Sequence, residues 1–254
     1  ISHNIRPCEQ ACGVKAIGSD EQGRAKILED KCVSCGMCMV SCPFGAISDK
    51  SQIFQLAHSL REGNDIIAII APAYISQFGE DVTPGKFKTA LEILGFSGVY
   101  EVALGADIGA ISEAHHYANE VVTGKLPFLL TSCCPSWSMM AKKFFPDMID
   151  NISQELTPMV ATARKVKQEH PDSKVVFIGP CASKKLEAMR TTVRSDVDFV
   201  VTFEELSAMF DAKEIDPAAY DEEDAPHDAT AAGRGYAVAG GVAGAIEACL
   251  KEYY

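Results

Sequence analysis

Six cysteines crowd the first 42 residues of this 254-residue chain, and four of them stand as Cys32-Val-Ser-Cys35-Gly-Met-Cys38-Met-Val-Ser-Cys42-Pro43. A C-x2-C-x2-C-x3-C-P run is the strongest constraint in the sequence. Three closely spaced thiolates on one tight loop can take three corners of a cubane, while the fourth turns away toward a second cluster. A zinc knuckle, the competing reading, usually pairs two C-x2-C arms across a longer gap. The remaining cysteines are Cys133, Cys134, Cys181 and Cys249. Such clustering differs from the even lacing of a secreted disulfide scaffold and points to metal in a reducing compartment. The formal charge of −12 makes nucleic acid and anionic membranes poor partners. No apolar run reaches the roughly 18 residues of a spanning helix. The opening ISHNIRPCEQ lacks the basic and apolar regions of a signal peptide, so a cytoplasmic location is expected.

An internal repeat accompanies the run. Cys12-Gly-Val-Lys-Ala-Ile echoes Cys42-Pro-Phe-Gly-Ala-Ile at an offset of thirty residues, and Cys8 stands to Cys12 as Cys38 stands to Cys42. Over about fifty residues this resembles the two-cluster bacterial ferredoxin fold. By that pattern Cys12, Cys32, Cys35 and Cys38 hold one 4Fe–4S cluster, and Cys8 and Cys42 belong to another. The two further thiolates of that second cluster would fall at Ser2 and Ile5, so it depends on a C-x-x-C arm upstream of Ile1.

Beyond Lys50 apolar, β-rich runs alternate with helical patterns. The expected strands are Ile66–Ile70, 98–103, 128–130, 175–178 and 199–201. The expected helices are Pro84–Leu94, 107–122, 135–149, 157–169 and Phe203–Ala212, with 216–232 as a surface loop and a last helix at 240–250. Near-continuous apolar strands separated by helices specify a parallel sheet covered on both faces. The domains are therefore expected at 1–55 and 56–254. Two motifs fall just beyond strand ends, where such sheets place ligands. They are Thr131-Ser-Cys133-Cys134-Pro-Ser-Trp137 and Pro180-Cys181-Ala-Ser-Lys184-Lys185-Leu-Glu187.

These motifs resemble the first two of the three signature motifs of FeFe-hydrogenases. The resemblance covers essentially the whole chain and implies an α/β catalytic domain, with parallel sheets flanked by helices, preceded by a small α+β ferredoxin-like domain. It implies an H-cluster, a cubane joined to a diiron unit with CO, CN⁻ and a dithiolate bridge, and the reversible reduction of protons to H2. Carried over by position, Cys134 and Cys181 ligate the cubane, Cys133 passes protons, Lys184 holds a cyanide, and Ala71-Pro72 lines the diiron site. Glu113 and Ser153, twenty residues either side of Cys133, match relay positions. His116 stands where a second glutamate is usual, and Gly179 where many members have methionine. The resemblance also implies a redox partner such as ferredoxin, and maturation proteins. The family's third cysteine motif follows the 240–250 helix pattern, and Cys249 within that pattern reads as an ordinary small buried thiol. The chain is thus expected to be part of a longer protein. A hydrogenase-like sensor and a non-catalytic iron–sulfur assembly scaffold are the alternative readings.

Overall fold

A computed structural model of the protein describes residues 5–222, 224–226 and 228–254. The N-terminal module pairs two half-turns of similar build. The one-turn helices α1 (Pro7–Gln10) and α2 (Met37–Val40) each carry cysteines, and an antiparallel hairpin, β1 (Ile17–Ser19) with β2 (Ala25–Ile27), lies between them. So small a module has little apolar core; Cys8, Ala16, Ile17 and Val33 are its buried residues.

From α3 (Ile53–Arg61) onward the chain winds an α/β domain. Its strands are β3 (Ile66–Ile70), β4 (Gly98–Glu101), β5 (Lys174–Gly179) and β6 (Phe199–Thr202), all parallel, in the order β4-β3-β5-β6. Every residue of Ile66-Ile-Ala-Ile-Ile70 is buried, as a central parallel strand with helices on both faces requires. The helices α4 (Pro84–Leu94), α5 (Val102–Glu120), α6 (Pro135–Phe144), α7 (Pro158–Glu169), α8 (Ser183–Ala188), α9 (Phe203–Ala212), α10 (Ala231–Arg234) and α11 (Gly241–Tyr253) follow in chain order. Local signals set their ends. Thr83 accepts a hydrogen bond from the Lys86 amide at the start of α4, and left-handed Gly95 ends it. Thr202 and Glu205 form a capping box on α9. Ala110 and Ala114 of α5 let α11 press close through Ala245 and Ile246.

Several element ends differ from expectation, each for a physical reason. Strand pairing at 98–103 stops at Glu101, opposite Ile70 where the only neighbouring strand ends, and α5 begins at once. The 135–149 helix breaks at Phe145 because Pro146 disfavours a helical residue before it. Segment 128–130 forms a single parallel bridge, Leu130 with Ile152, instead of a strand. The 216–232 loop contains a 3-10 turn at Pro217–Ala219 and the start of α10; its Glu223 and His227 lie outside the described residues.

Chain order along the sheet reverses direction at β3: β4 lies on one side and β5 on the other. The crevice beyond the carboxyl ends of β3 and β5 is therefore the switch point of the fold, the usual ligand position in an open α/β sheet.

Candidate iron–sulfur and catalytic site

Ala71-Pro72 and Gly179-Pro180-Cys181 both leave the sheet at that switch point. The Ala71 amide donates to the Ile178 carbonyl at 2.8 Å, extending the pairing by one residue. A Cβ at Gly179 would stand 3.2 Å from the Ala71 Cβ and 2.5 Å from two ring carbons of Phe177. A side chain there would have to displace the Phe177 ring, which already fills that space.

The first motif reaches the same place from the other side. The Leu130 bridge is made by Leu130 N–H to Asn151 O and Ser153 N–H to Leu130 O, both 2.8 Å, and it fixes Ser153 beside the segment leading to Cys133. Cys134 has extended backbone at the start of α6. The two motifs are joined directly, since Lys184 Nζ donates to the Cys133 carbonyl at 3.1 Å. Lys184 also pairs with Glu187 Oε2 at 2.6 Å, and Glu187 is almost fully buried. An ammonium carries three protons, so this geometry leaves one for a further acceptor. Cys181 Sγ lies 2.7 Å from Ser183 Oγ.

Glu113 is buried on α5 and hydrogen-bonds Ser153, which is itself buried. Burial pushes the Glu113 carboxyl up from 4.5 to about 6, against the opposing pull of the Ser153 hydroxyl. Burial also raises the Cys133 thiol; Lys184 pulls it down, and Glu113 pushes it up further. Glu113, Ser153, Cys133 and Lys184 thus form one electrostatic neighbourhood. Tyr236 joins it: half-buried, its phenol is raised by burial and then by the charges of Glu113 and Cys133. His116 is half-buried, with no hydrogen-bond partner among the described residues, and His115 rather than His116 meets the Tyr254 hydroxyl. Cys249 is half-buried against the Ala110, Ala114, Ala245 and Ile246 cluster.

In the N-terminal module Cys12, Cys32, Cys35 and Cys38 line one cavity of about 380 Å³. Among the described residues no three cysteine, histidine or carboxylate side chains converge on a single ion position; the thiols surround a space instead. The Ala16 amide donates to Cys12 Sγ at 3.1 Å and the Ser34 amide to Cys32 Sγ at 3.4 Å. A ring of thiols with N–H donors fits a cubane. The loop is held by Gly36, whose φ of 83° suits glycine and whose Cβ would stand 3.9 Å from the Ala182 Cβ. The cluster loop and the residue next to Cys181 therefore line the same cavity. Cys8 and Cys42 line a second cavity, of about 620 Å³, with Arg6 at its wall. Backbone amides of residues 44–47 lower the Cys42 thiol. Of the two positions where the repeat would place further thiolates, Ile5 is exposed and Ser2 lies outside the described residues.

Sequence reasoning placed Glu187 in the second motif without giving it a role, and assigned none to Phe177 or Tyr236. An acid three residues beyond Lys184 was the one local signal available; the other two matter only through contacts made by folding.

A cysteine-lined module docked on a parallel α/β domain, with cysteines and a lysine at its switch point, defines an iron–sulfur protein built around a redox centre. The profile described as "Iron only hydrogenase large subunit, C-terminal domain" matches residues 64–254, and "LdpA Fe-S cluster-binding domain" matches residues 2–53. The chain belongs to the iron-only hydrogenase family and carries an N-terminal iron–sulfur-binding domain. It is 32% identical to the NADP-reducing hydrogenase subunit HndD of Solidesulfovibrio fructosivorans, over 88% of this chain and 43% of that protein. An apo FeFe-hydrogenase structure from Chlamydomonas reinhardtii superposes with a TM-score of 0.60 at 26% identity, covering 70% of this chain and 52% of the other. A cytosolic Fe-S cluster assembly factor NAR1 from Kluyveromyces lactis is 36% identical over 92 residues, 36% of this chain and 20% of that protein. The chain spans about half or less of the relatives it matches.

Proposed function

We propose that the protein reduces protons reversibly to H2, with electrons entering through the N-terminal cluster. The observation that carries this reading is the buried Glu113–Ser153 pair beside Cys133. A carboxyl poised near 6 can take and give a proton at neutral pH, as a relay must. An H-cluster, when bound, supplies the electron pair and the site of H–H bond formation. Cys134 and Cys181 would hold its cubane, Lys184 would give its remaining proton to a cyanide as a charge-assisted hydrogen bond, and Ala71-Pro72 would line the diiron side. The chain's own work is to bind, orient and move protons. Cys133 stands at the inner end of the relay, and Glu113 and Ser153 carry the proton outward. In the module, Cys12, Cys32, Cys35 and Cys38 would hold one 4Fe–4S cluster, and Cys8 and Cys42 would contribute to another. The physiological setting we propose is the cytoplasm, with a ferredoxin-type redox partner and maturation proteins that insert the diiron unit. No helix among the described residues is long and apolar enough to cross a membrane.

The NAR1 similarity favours a second reading, a non-catalytic role in iron–sulfur assembly. Infrared spectra of the anaerobically maturated, full-length protein separate the two. Proton reduction requires CO and CN⁻ stretching bands and H2 turnover; the assembly reading requires iron–sulfur content with neither.

A further inference from the structure

Among the described residues, two lysines fasten the N-terminal module to the α/β domain, each on a helix that follows an active-site cysteine, and Gln52 Oε1 accepts from the Val200 amide beside them. Lys143, in the last turn of α6, donates to the carbonyls of Glu29 and Cys32, each at 2.8 Å. Cys32 is a cluster-loop cysteine, and α6 begins immediately after Cys134. Lys185 lies on α8, whose N-cap Ala182 follows Cys181. It is buried, with Nζ 2.6 Å from Asp49 Oδ2 and 2.7 and 2.8 Å from the two oxygens of Glu205. Asp49 belongs to the segment leaving the module, and Glu205 caps α9.

Charge makes the second fastening strong. Three carboxylate oxygens face one ammonium with three protons, and Asp49 Oδ2, though buried, has no hydrogen bond other than this ion pair. Without the lysine, two acids in a poorly solvated gap would repel each other and lose their compensation. Gly36 of the cluster loop and Ala182, the neighbour of Cys181, line one cavity, and a Cβ at Gly36 would reach van der Waals distance of Ala182.

We infer that Lys143 and Lys185 are positioning residues: a two-point clasp that holds the N-terminal cluster loop against the turns bearing Cys134 and Cys181, so that electrons cross at Gly36–Ala182. This rests on the electron-entry reading proposed above and adds which side chains set the crossing. Neither lysine touches a thiolate position, so each acts through the backbone or carboxylates it holds.

The test uses the full-length, anaerobically reconstituted protein and the variants K143A, K185Q and K185R. Two quantities are read: amide hydrogen exchange at residues 32–38 and 181–184, and the stopped-flow rate at which electrons from reduced methyl viologen arrive at the active-site cluster. K143A and K185Q should each speed exchange at 32–38 roughly tenfold, as a more easily opened local contact does. The iron content of the module and the exchange of β3 and β5 should stay unchanged. Electron arrival should slow in both variants, and K185R should restore both readouts. Unchanged exchange at 32–38 overturns the clasp. So does loosening of α9 and β6 alone, which would assign Lys185 to the folding of α9. Faster exchange with unchanged electron arrival overturns the positioning role and leaves the hydrogenase reading standing. If no electrons reach the active site in the wild-type protein, that reading fails instead, and the exchange data still judge the clasp.

Discussion

Replacing Glu113 with glutamine removes the proton exchange of the proposed relay while keeping the size of the side chain and its capacity to bond Ser153. The effect on stability can be worked from the buried carboxyl. Its rise from 4.5 to about 6 in the fold corresponds to ~2 kcal/mol against the ionised form. The folded state holds this proton more tightly than the unfolded chain, so stability falls as pH rises through the window from 4.5 to about 6. The penalty is absent well below 4.5 and complete well above 6. By linkage it amounts to ~2 kcal/mol at pH 8 and less than half of that at pH 5. E113Q should therefore gain roughly 1 kcal/mol more stability relative to wild type at pH 8 than at pH 5, and the cost of burying an amide cancels in that difference. Anaerobic urea unfolding at the two pH values, followed by circular dichroism, measures it. The same variant should lose H2 evolution by ~100-fold or more, the usual share of a positioned acid–base group. Equal stability changes at the two pH values would refute the buried-acid argument, and wild-type turnover would remove Glu113 from the relay.

The adjacent cysteines give a second test: C133A should keep the active-site cubane by iron analysis yet largely abolish H2 turnover, whereas C134A should lose the cubane. In the module, C35A should lose about four irons per chain and unfold residues that metal holds together, seen as lost protection from proteolysis. At the switch point, G179A should destabilise by ~1–3 kcal/mol through collision with the Phe177 ring. The same change in an F177A background should cost far less; an unchanged penalty there would show that the ring is not what demands glycine.

The parts of the site readable from sequence were those written in short spacings. The C-x2-C-x2-C run, the all-apolar Ile66–Ile70 strand and the cysteines after apolar runs are local patterns, and the fold uses them where they stand. Residues 128–130 misled because strand composition says nothing of a partner: Leu130 finds one bridge to Ile152 and no ladder. Phe177 over Gly179, and Asp49 with Glu205 around Lys185, depend on contacts that only folding creates. Strand 98–103 was overlong for a related reason. Val102 and Ala103 are apolar enough for a strand, but the pairing of β4 with β3 ends at Ile70.

The extended backbone at Cys134 puts two adjacent sulfurs in two different environments. Successive side chains on extended chain point to opposite sides, and here one is half-buried among Glu113 and Lys184 while the other is exposed at the start of α6. The order of the two sulfurs is therefore set by where α6 begins, at Pro135.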